Sequence, residues 1–206
     1  MTSQKPYSEA CDRNREPILD VLREHFAAAG SVLEIGSGTG QHAVYFARHL
    51  PHLTWHTSDV AQHHAGIEAW IAQSGLANVK RPIALDVRDV PWPMTSADAV
   101  FTANTLHIMD STCVEALFRG VARVLSAGGV LAVYGPFNYG GRFTSASNAQ
   151  FDAGLRARGV GSALRDFEAV DKLAQGIGLA LVRDVAMPAN NRTLVWRRQS
   201  AQGGEI

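Results

Sequence analysis

The sequence predicts an α/β protein in which a mostly parallel sheet carries helices on both faces. Short apolar runs of strand length alternate with segments of helical periodicity along the 206 residues, a pattern typical of successive βα units. The first of these runs ends in a turn dense in glycine, as ligand-binding βα turns do. The last two runs follow one another directly, which predicts one antiparallel strand in the otherwise parallel sheet.

The N-terminal part of the chain predicts a helix followed by the first βα unit. Apolar residues recur on one face of a helix at Arg15–Ala29, and Gly30 is its expected stop. The apolar run Ser31–Ile35 is the first strand. The next helix, Gln41–Leu50, buries an alanine- and phenylalanine-rich face and ends before Pro51.

Two further strands and a helix follow before the middle of the chain. The second strand is Leu53–Ser58, and a helix at Gln62–Gln73 connects it to the third strand, Arg81–Leu85. Two prolines around Trp92 form a rigid connector. The fourth strand, Ala97–Ala103, is almost continuously apolar, as a parallel strand buried on both faces should be.

The second half predicts three helices and three strands. Two of the helices begin with a hydroxyl residue followed three positions later by Glu or Gln, which is the pattern of a capping box. A glycine pair precedes the fifth strand, and a short Pro-Asn turn joins the last two. In chain order these elements are Thr112–Leu125, Val130–Tyr134, Ser147–Arg158, Phe167–Ile177, Leu179–Met187 and Thr193–Arg198.

The strongest functional signal is the glycine turn at residues 36–40. Glycine lets backbone approach a ligand where a Cβ would collide, and the helix opening at Gln41 presents free N–H groups. A dinucleotide fingerprint places its third glycine three residues after the second, whereas Gly40 follows Gly38 by two. The acid Glu34, just before this turn, would repel a pyrophosphate. It suits a cofactor that carries an ammonium group and a sulfonium.

This turn resembles motif I of the class I S-adenosylmethionine-dependent methyltransferases, which have a Rossmann-like fold. The resemblance implies S-adenosylmethionine (SAM) as cofactor and S-adenosylhomocysteine as product. It also implies a seven-stranded sheet of order 3-2-1-4-5-7-6, with strand 7 antiparallel. The implied cofactor contacts are Glu34, Gly36, Ser37, Gly38, Gly40, Asp59, Asp86, Val87 and Asn104.

Four of these contacts follow the ends of strands two to four. Asp59 is placed where an acid accepts hydrogen bonds from both ribose hydroxyls, although an acid there also serves as a helix N-cap. The resemblance implies that Asp86 accepts from the adenine amino group and that Val87 supplies a backbone N–H. Turn chemistry alone also favours an acid at a strand end. The segment from Asn104 to His107 faces the methyl group in this class.

The chain over residues 5–198 is similar to an uncharacterised family of methyltransferase-like proteins of bacteria and animals, whose domain has no known function. The segments that carry this resemblance are Tyr7–Ala10, Arg13-Asn14, Glu34–Gly40, Ala103–Ile108, Gly135–Phe137, Tyr139–Gly141, Ser147–Asp152, Leu164–Asp166 and Met187–Asn191. We expect a single methyltransferase domain over residues 1–206. Its parts are an N-terminal capping segment and helix (1–30), a cofactor-binding half (31–134), a substrate-side half (135–199) and a flexible tail (200–206).

His107 is the candidate catalytic residue, because an imidazole with an ordinary pKa of about 6.5 accepts protons at neutral pH. Alternatively, His107 hydrogen-bonds backbone or packs over the adenosine. The other seven histidines all precede Ala65, and no cysteine or acid completes a recognisable metal set with them. We therefore predict no metal.

Polar residues of the N-terminal helix and of the second half are the candidate substrate contacts. The loop at 135–143 follows a central strand and is rich in residue types that bind substrates. Arg142, or else Arg13, would hold a carboxylate or phosphate by paired hydrogen bonds. A solvated helix start and an Asn-rich turn are the alternative explanations for some members. The set is Arg13, Asn14, Tyr139, Arg142, Asn148, Asn190 and Asn191.

Composition excludes several classes of partner. Nineteen basic residues balance nineteen acidic ones, so no net charge attracts nucleic acid or an anionic membrane. The fourth strand ends without the Asn/Asp-Pro-Pro-aromatic motif of enzymes that methylate base amino groups, and no apolar run is long enough to cross a bilayer. The two cysteines, Cys11 and Cys113, suit a reducing cytoplasm. The oligomeric state is not indicated.

The sequence therefore predicts a SAM-dependent methyltransferase that acts by in-line displacement on a small polar metabolite. Two alternatives remain open. One is an NAD(P)-dependent oxidoreductase on a similar sheet, and the other is a non-catalytic SAM-binding protein.

Overall fold

A computed structural model describes residues 5–159 and 161–199 of the chain. The tail predicted at 200–206 lies outside the described residues. The helices are α1 (Glu9–His25), α2 (Gln41–His49), α3 (His64–Ser74), α4 (Ser111–Val124), α5 (Ala146–Arg156) and α6 (Phe167–Gly176). The strands are β1 (Ser31–Ile35), β2 (Thr54–Asp59), β3 (Val79–Ala84), β4 (Ala97–Ala103), β5 (Leu125–Gly135), β6 (Phe137–Asn138), β7 (Arg165–Asp166), β8 (Leu179–Met187) and β9 (Asn191–Arg198).

Seven of these strands form one sheet in the order β3-β2-β1-β4-β5-β9-β8. When only these seven are numbered along the chain, the order is 3-2-1-4-5-7-6, as predicted. β9 runs antiparallel to both of its neighbours, while the strands from β3 to β5 are mutually parallel. The short strands β6 and β7 pair separately. The mostly parallel seven-stranded fold predicted from the sequence is confirmed.

A hydrophobic cluster covers each face of the sheet. On one face α1 and α2 pack against the sheet, and the rings of Phe46, Trp55 and Phe101 meet there with centroids 5.4–5.9 Å apart. On the other face α4 and α6 cover side chains such as Leu131 and Trp196. β1 and β4 contribute side chains to both clusters, which explains why apolar residues predominate in both strands.

The register brings the carboxyl ends of the parallel strands to one edge. Ile35 at the end of β1 pairs with Ser58 of β2, and Asp59 at the end of β2 pairs with Ala84 of β3. The turns that follow β1, β2, β3 and β4 therefore meet. An open α/β sheet binds its ligands at this edge.

The first helix differs from its predicted bounds. It begins at Glu9 instead of Arg15 and ends at His25, before Gly30. The added turns contain the ion pairs Arg13–Glu9 (3.1 Å) and Arg15–Asp12 (2.5 Å), spaced four and three residues apart. Such pairs favour a helix on an exposed surface, but they leave no apolar periodicity to recognise.

Two helix caps also differ from the predicted ones. α4 is capped by Asp110, whose carboxylate accepts from the Cys113 N–H at 2.8 Å. α5 is capped by Ser145, whose hydroxyl accepts from the Asn148 N–H at 3.1 Å. The predicted caps Thr112 and Ser147 each lie two residues further on, inside the first turn. Neighbouring Ser, Thr and Asp residues satisfy the same sequence pattern, so spacing alone does not choose among them.

Candidate active site

A cleft of about 430 Å³ lies at the carboxyl ends of β1, β2, β3 and β4. Six of the nine predicted cofactor contacts line it, and the other three lie behind its wall. The six are Gly36, Gly38, Asp59, Asp86, Val87 and Asn104. The cleft has a largely apolar wall with a few polar groups, which is the usual character of a small-molecule site.

Two glycines of the turn differ in what surrounds them. Gly36 has φ +72°, and a Cβ there would lie 2.7 Å from Cγ2 of Thr105, so the turn after β4 packs directly on this backbone. Gly38 has φ +58°, but a Cβ there would meet no protein atom within 4 Å. Side-chain packing therefore does not require a glycine at Gly38. The missing side chain leaves open space in the cleft.

Glu34 lies behind the turn and buttresses it. Its Oε2 accepts hydrogen bonds from the Ser37 hydroxyl at 2.9 Å and from the Trp55 indole N–H at 3.0 Å. Ser37 Oγ in turn accepts from the Ser58 N–H at 3.1 Å. Gly40 completes this layer, because a Cβ there would lie 3.0 Å from the Cα of Ile67. Glu34, Ser37 and Gly40 thus shape the cleft from outside its surface.

Burial controls the charge of Glu34. The side chain is 2 % exposed, and desolvation raises its pKa from 4.5 to about 7, although the bonds from Trp55 and Ser37 act in the opposite direction. The low dielectric around the buried side chain destabilises the charged carboxylate more than the two hydrogen-bond donors stabilise it. Near neutral pH, therefore, Glu34 is divided between its two protonation states.

Asp59 links the end of β2 to the glycine turn. Its Oδ2 accepts from the Gly38 N–H and its Oδ1 from the Val60 N–H, both at 2.8 Å. The N-cap residue of α3 is His63, which leaves Asp59 outside the helix start. The carboxylate lines the cleft directly beside Gly38.

Asp86 and Val87 line the far wall of the same cleft, with Arg88 beside them. The Arg88 guanidinium donates to both carboxylate oxygens of Asp86, at 2.9 Å and 2.5 Å, and the Arg88 N–H donates a third bond at 3.0 Å. These bonds lower the pKa of Asp86. A ligand that uses Asp86 as an acceptor must share it with Arg88.

Asn104 turns the chain at the end of β4. It adopts φ +58°, a left-handed conformation that asparagine tolerates better than most residues, and its N–H donates to the Tyr134 carbonyl at 2.8 Å. This bend places Asn104 at the edge of the cleft next to Thr105.

The residues present fit an adenosyl group. The space over Gly38 admits a ligand, Asp59 offers acceptors beside it, and the apolar side chains of Leu85, Val87 and Met109 form walls for a flat ring. The ribose of such a group needs hydrogen-bond acceptors beside it, and its base needs apolar walls.

His107 lies one residue before Ile108, which lines the cleft, but is not itself a lining residue. Its ring is 6 % exposed and meets the edge of the Phe151 ring at a centroid distance of 5.3 Å. Desolvation lowers its pKa to about 4, with smaller contributions from Arg165 and Arg158. The imidazole is therefore uncharged at neutral pH.

Arg165 anchors the turn that carries His107. Its guanidinium donates to the Leu106 carbonyl at 3.1 Å and also to the Met109 carbonyl. The two carbonyls flank His107 in sequence, so the arginine fixes the direction of this turn. Sequence reasoning missed this role, because an arginine that binds backbone leaves no local pattern.

The predicted substrate residues Tyr139, Asn190 and Asn191 line a second cavity, of about 380 Å³, at the β8–β9 corner. The Tyr139 hydroxyl donates to Asp184 at 2.9 Å. Asn148 is buried nearby and donates to the Asn190 carbonyl at 3.2 Å. These four residues thus come together, separately from the cofactor cleft.

The other predicted substrate residues lie elsewhere. Arg142 is exposed, and its backbone exchanges hydrogen bonds with Tyr139. Arg13 is exposed and paired with Glu9. Asn14 is buried, with its Oδ1 2.7 Å from Nε2 of His42. None of these three lines either cavity.

Ten of the sixteen lining residues are not among the predicted cofactor contacts, and two of these ten, His63 and Arg88, have basic side chains. The sequence assigned no role to either. Only the three-dimensional meeting of strand ends reveals them. Within residues 5–159 and 161–199, no group of three or more His, Cys, Asp or Glu side chains is placed to hold a metal. No helix in that part of the chain is both long and apolar enough to cross a bilayer.

Comparison with known families decides the affiliation. The model of a family described as "Protein of unknown function (DUF938)" matches residues 5–198. The chain belongs to the DUF938 family. The match spans both halves of the sheet and both cavities.

Solved structures with the same fold include several O-methyltransferases. An O-methyltransferase family protein from Burkholderia thailandensis superposes with TM-score 0.80 and 21 % identity, covering 91 % of this chain and 57 % of that one. Human N-acetylserotonin methyltransferase in complex with SAM gives 0.77 and 15 %, covering 93 % and 53 %. At these identities the similarity concerns the fold. The DUF938 chain spans a little over half the length of these proteins.

Proposed function

We propose that this DUF938 protein is a SAM-dependent methyltransferase that acts on a small polar molecule. The observation that carries the proposal is the open space over Gly38 beside the Asp59 carboxylate, within a cleft at the carboxyl ends of the central strands. The fold shared with SAM-dependent O-methyltransferases supports it. The glycine spacing disfavours the dinucleotide alternative.

Residues of the glycine turn and of β2 would bind and position the cofactor in such a reaction. Bound SAM supplies an electrophilic methyl group on sulfur. Gly38 and Asp59 position the adenosyl part, and Glu34 holds the turn from behind. Alignment of two reactants by such contacts lowers a barrier by on the order of 7–11 kcal/mol in favourable cases.

His107 would act on the acceptor. Its ring is uncharged at neutral pH, so a ring nitrogen can take the proton that a hydroxyl loses as its oxygen is methylated, although a pKa of about 4 makes it a weaker base than an exposed imidazole. Arg165 holds the backbone on either side of it. The two free thiols, Cys11 and Cys113, support a cytoplasmic location for this chemistry.

Two measurements test the proposal. Calorimetry should show SAM binding to the wild-type protein and no binding of NADH. Label from methyl-tritiated SAM should then pass into a small-molecule extract in the presence of the protein. NADH binding without SAM binding would contradict the proposal, and SAM binding without any transfer would indicate a non-catalytic SAM-binding protein.

A further inference from the structure

The second cavity contains one formal charge among its described lining residues, the guanidinium of Arg192. Arg192 Nε donates to Asp184 Oδ1 at 2.7 Å, and Nη2 reaches the Asp184 carbonyl at 3.4 Å. Asp184 also accepts from the Tyr139 hydroxyl. Within the described part of the chain, Nη1 of Arg192 donates to no carboxylate or carbonyl oxygen, and the guanidinium also lies over the Tyr139 ring at 5.6 Å. One edge of the Arg192 guanidinium is therefore available to a ligand.

The wall opposite this arginine is held in a strained shape. Ala189 and Asn190 both adopt left-handed backbone conformations, at φ +55° and +58°. Such a conformation costs an alanine roughly 1–2 kcal/mol. Asn148 donates to the Asn190 carbonyl and Asn191 donates to the Pro188 carbonyl, both at 3.2 Å, which keeps the corner in place. Strain maintained in this way is typical of ligand-binding sites.

The cavity and His107 share one face of the sheet. A Cβ built on Gly135 would lie 3.7 Å from Nδ1 of His107. Gly135 pairs directly with Arg192 across β5 and β9, and the Cβ atoms of such antiparallel partners lie about 4.5–5.5 Å apart on the same face. The Cβ of Arg192 is therefore within roughly 9 Å of the His107 ring. This separation is within the length of one small molecule.

The charge of the cavity selects the ligand class. Asp184 already compensates part of the Arg192 charge, so the site suits a single negative charge better than a dianion. A planar carboxylate also matches the geometry of a guanidinium edge. The amides of Asn190 and Asn191 add polar contacts around it.

We propose that this second cavity binds a carboxylate group of the methyl acceptor and that Arg192 is its cationic partner. The identification of the ligand as the acceptor rests on the proposed methyl transfer, whereas carboxylate binding itself does not. The acceptor is then a small carboxylic acid whose nucleophile lies near His107 while its acid group lies at Arg192.

Calorimetric titration tests the site with 4-hydroxybenzoate, its uncharged amide 4-hydroxybenzamide, and 4-hydroxyphenyl phosphate. In the wild-type protein we expect the carboxylate to bind about tenfold or more tightly than the amide, as a charge-assisted hydrogen bond provides. Arg192→Gln should abolish this preference. Arg183→Gln is the matched control, because Arg183 is exposed on β8 opposite Val195, which packs on the other face of the sheet.

A second variant keeps the test valid if Arg192→Gln unfolds. Ala186 is exposed, lines the cavity and pairs directly with Arg192. Ala186→Glu should place an internal carboxylate on the free guanidinium edge and abolish probe binding, whereas the Arg183→Gln control should retain it.

Three results would overturn the proposal. They are equal binding of carboxylate and amide to the wild-type protein, undiminished binding in both Arg192→Gln and Ala186→Glu, and tighter binding of the phosphate than of the carboxylate. SAM titration of the same samples keeps the two proposals apart. A protein that binds the carboxylate but not SAM would refute the methyltransferase and leave the carboxylate site standing.

Discussion

Replacing Gly38 by alanine should separate an effect on the stability of the turn from an effect on cofactor binding. A Cβ at Gly38 would meet no protein atom within 4 Å, so the only intramolecular penalty is the left-handed backbone at φ +58°. That penalty is about 1–2 kcal/mol. Gly75, after α3, has φ +67° and equally open surroundings but does not line the cleft. Gly75→Ala is therefore a control with the same strain.

The binding penalty falls on Gly38→Ala alone. Its new methyl group points into the space assigned to the adenosyl part, and overpacking of a close-fitting site costs about 1–3 kcal/mol. We expect SAM affinity to fall roughly 5- to 150-fold, and Gly38→Val to lose more. Urea unfolding should show similar destabilisation of Gly38→Ala and Gly75→Ala, while calorimetry should show a binding loss for the first only. Wild-type affinity in Gly38→Ala, or an equal loss in Gly75→Ala, would refute this placement of the cofactor.

Three further predictions concern the acids and His107. Asp59→Ala should weaken SAM binding by about 1–3 kcal/mol, the range for losing a hydrogen bond to a charged group. The control is Asp20→Ala, on the exposed face of α1, which should leave the SAM affinity measured by calorimetry unchanged. Because burial raises the Glu34 pKa from 4.5 to about 7, the native protein binds more protons than the unfolded chain between those values, and its unfolding free energy should fall as pH rises through them. Glu34→Gln should remove this pH-dependent loss of unfolding free energy, which is on the order of 3 kcal/mol. If urea unfolding gave the same dependence of unfolding free energy on pH for the wild-type protein and Glu34→Gln, the explanation would be wrong. His107→Asn should lower kcat for a hydroxyl acceptor by roughly 10²–10⁴-fold. Its SAM affinity should be unchanged, since His107 lies outside the cleft wall. A variant that retains full kcat would show that His107 has no catalytic role.

Local sequence was sufficient to bound three of the strands. β1, β4 and β8 have the predicted bounds, Ser31–Ile35, Ala97–Ala103 and Leu179–Met187. Each consists mostly of apolar residues and is flanked by Gly, Pro, Ser or Asn. The start of α1 at Glu9 was not predictable in this way, because its first turns are stabilised by exposed ion pairs.

The site was predictable where it depends on the ends of successive strands. Asp59 and Asp86 follow β2 and β3, so their meeting in one cleft follows from a parallel sheet. The proposed carboxylate site was not predictable, because only the pairing of Arg192 on β9 with Gly135 of β5 brings it near His107. Arg142 was the better candidate from sequence, since it lies in a polar loop. The structure places it outside both cavities.

A crystal structure with S-adenosylhomocysteine bound would locate the cofactor site. We expect the adenosyl group to lie over Gly38 with its ribose hydroxyls within hydrogen-bond distance of the Asp59 carboxylate. A ligand found at any other position, or a cleft that instead accepts NADH, would contradict this placement.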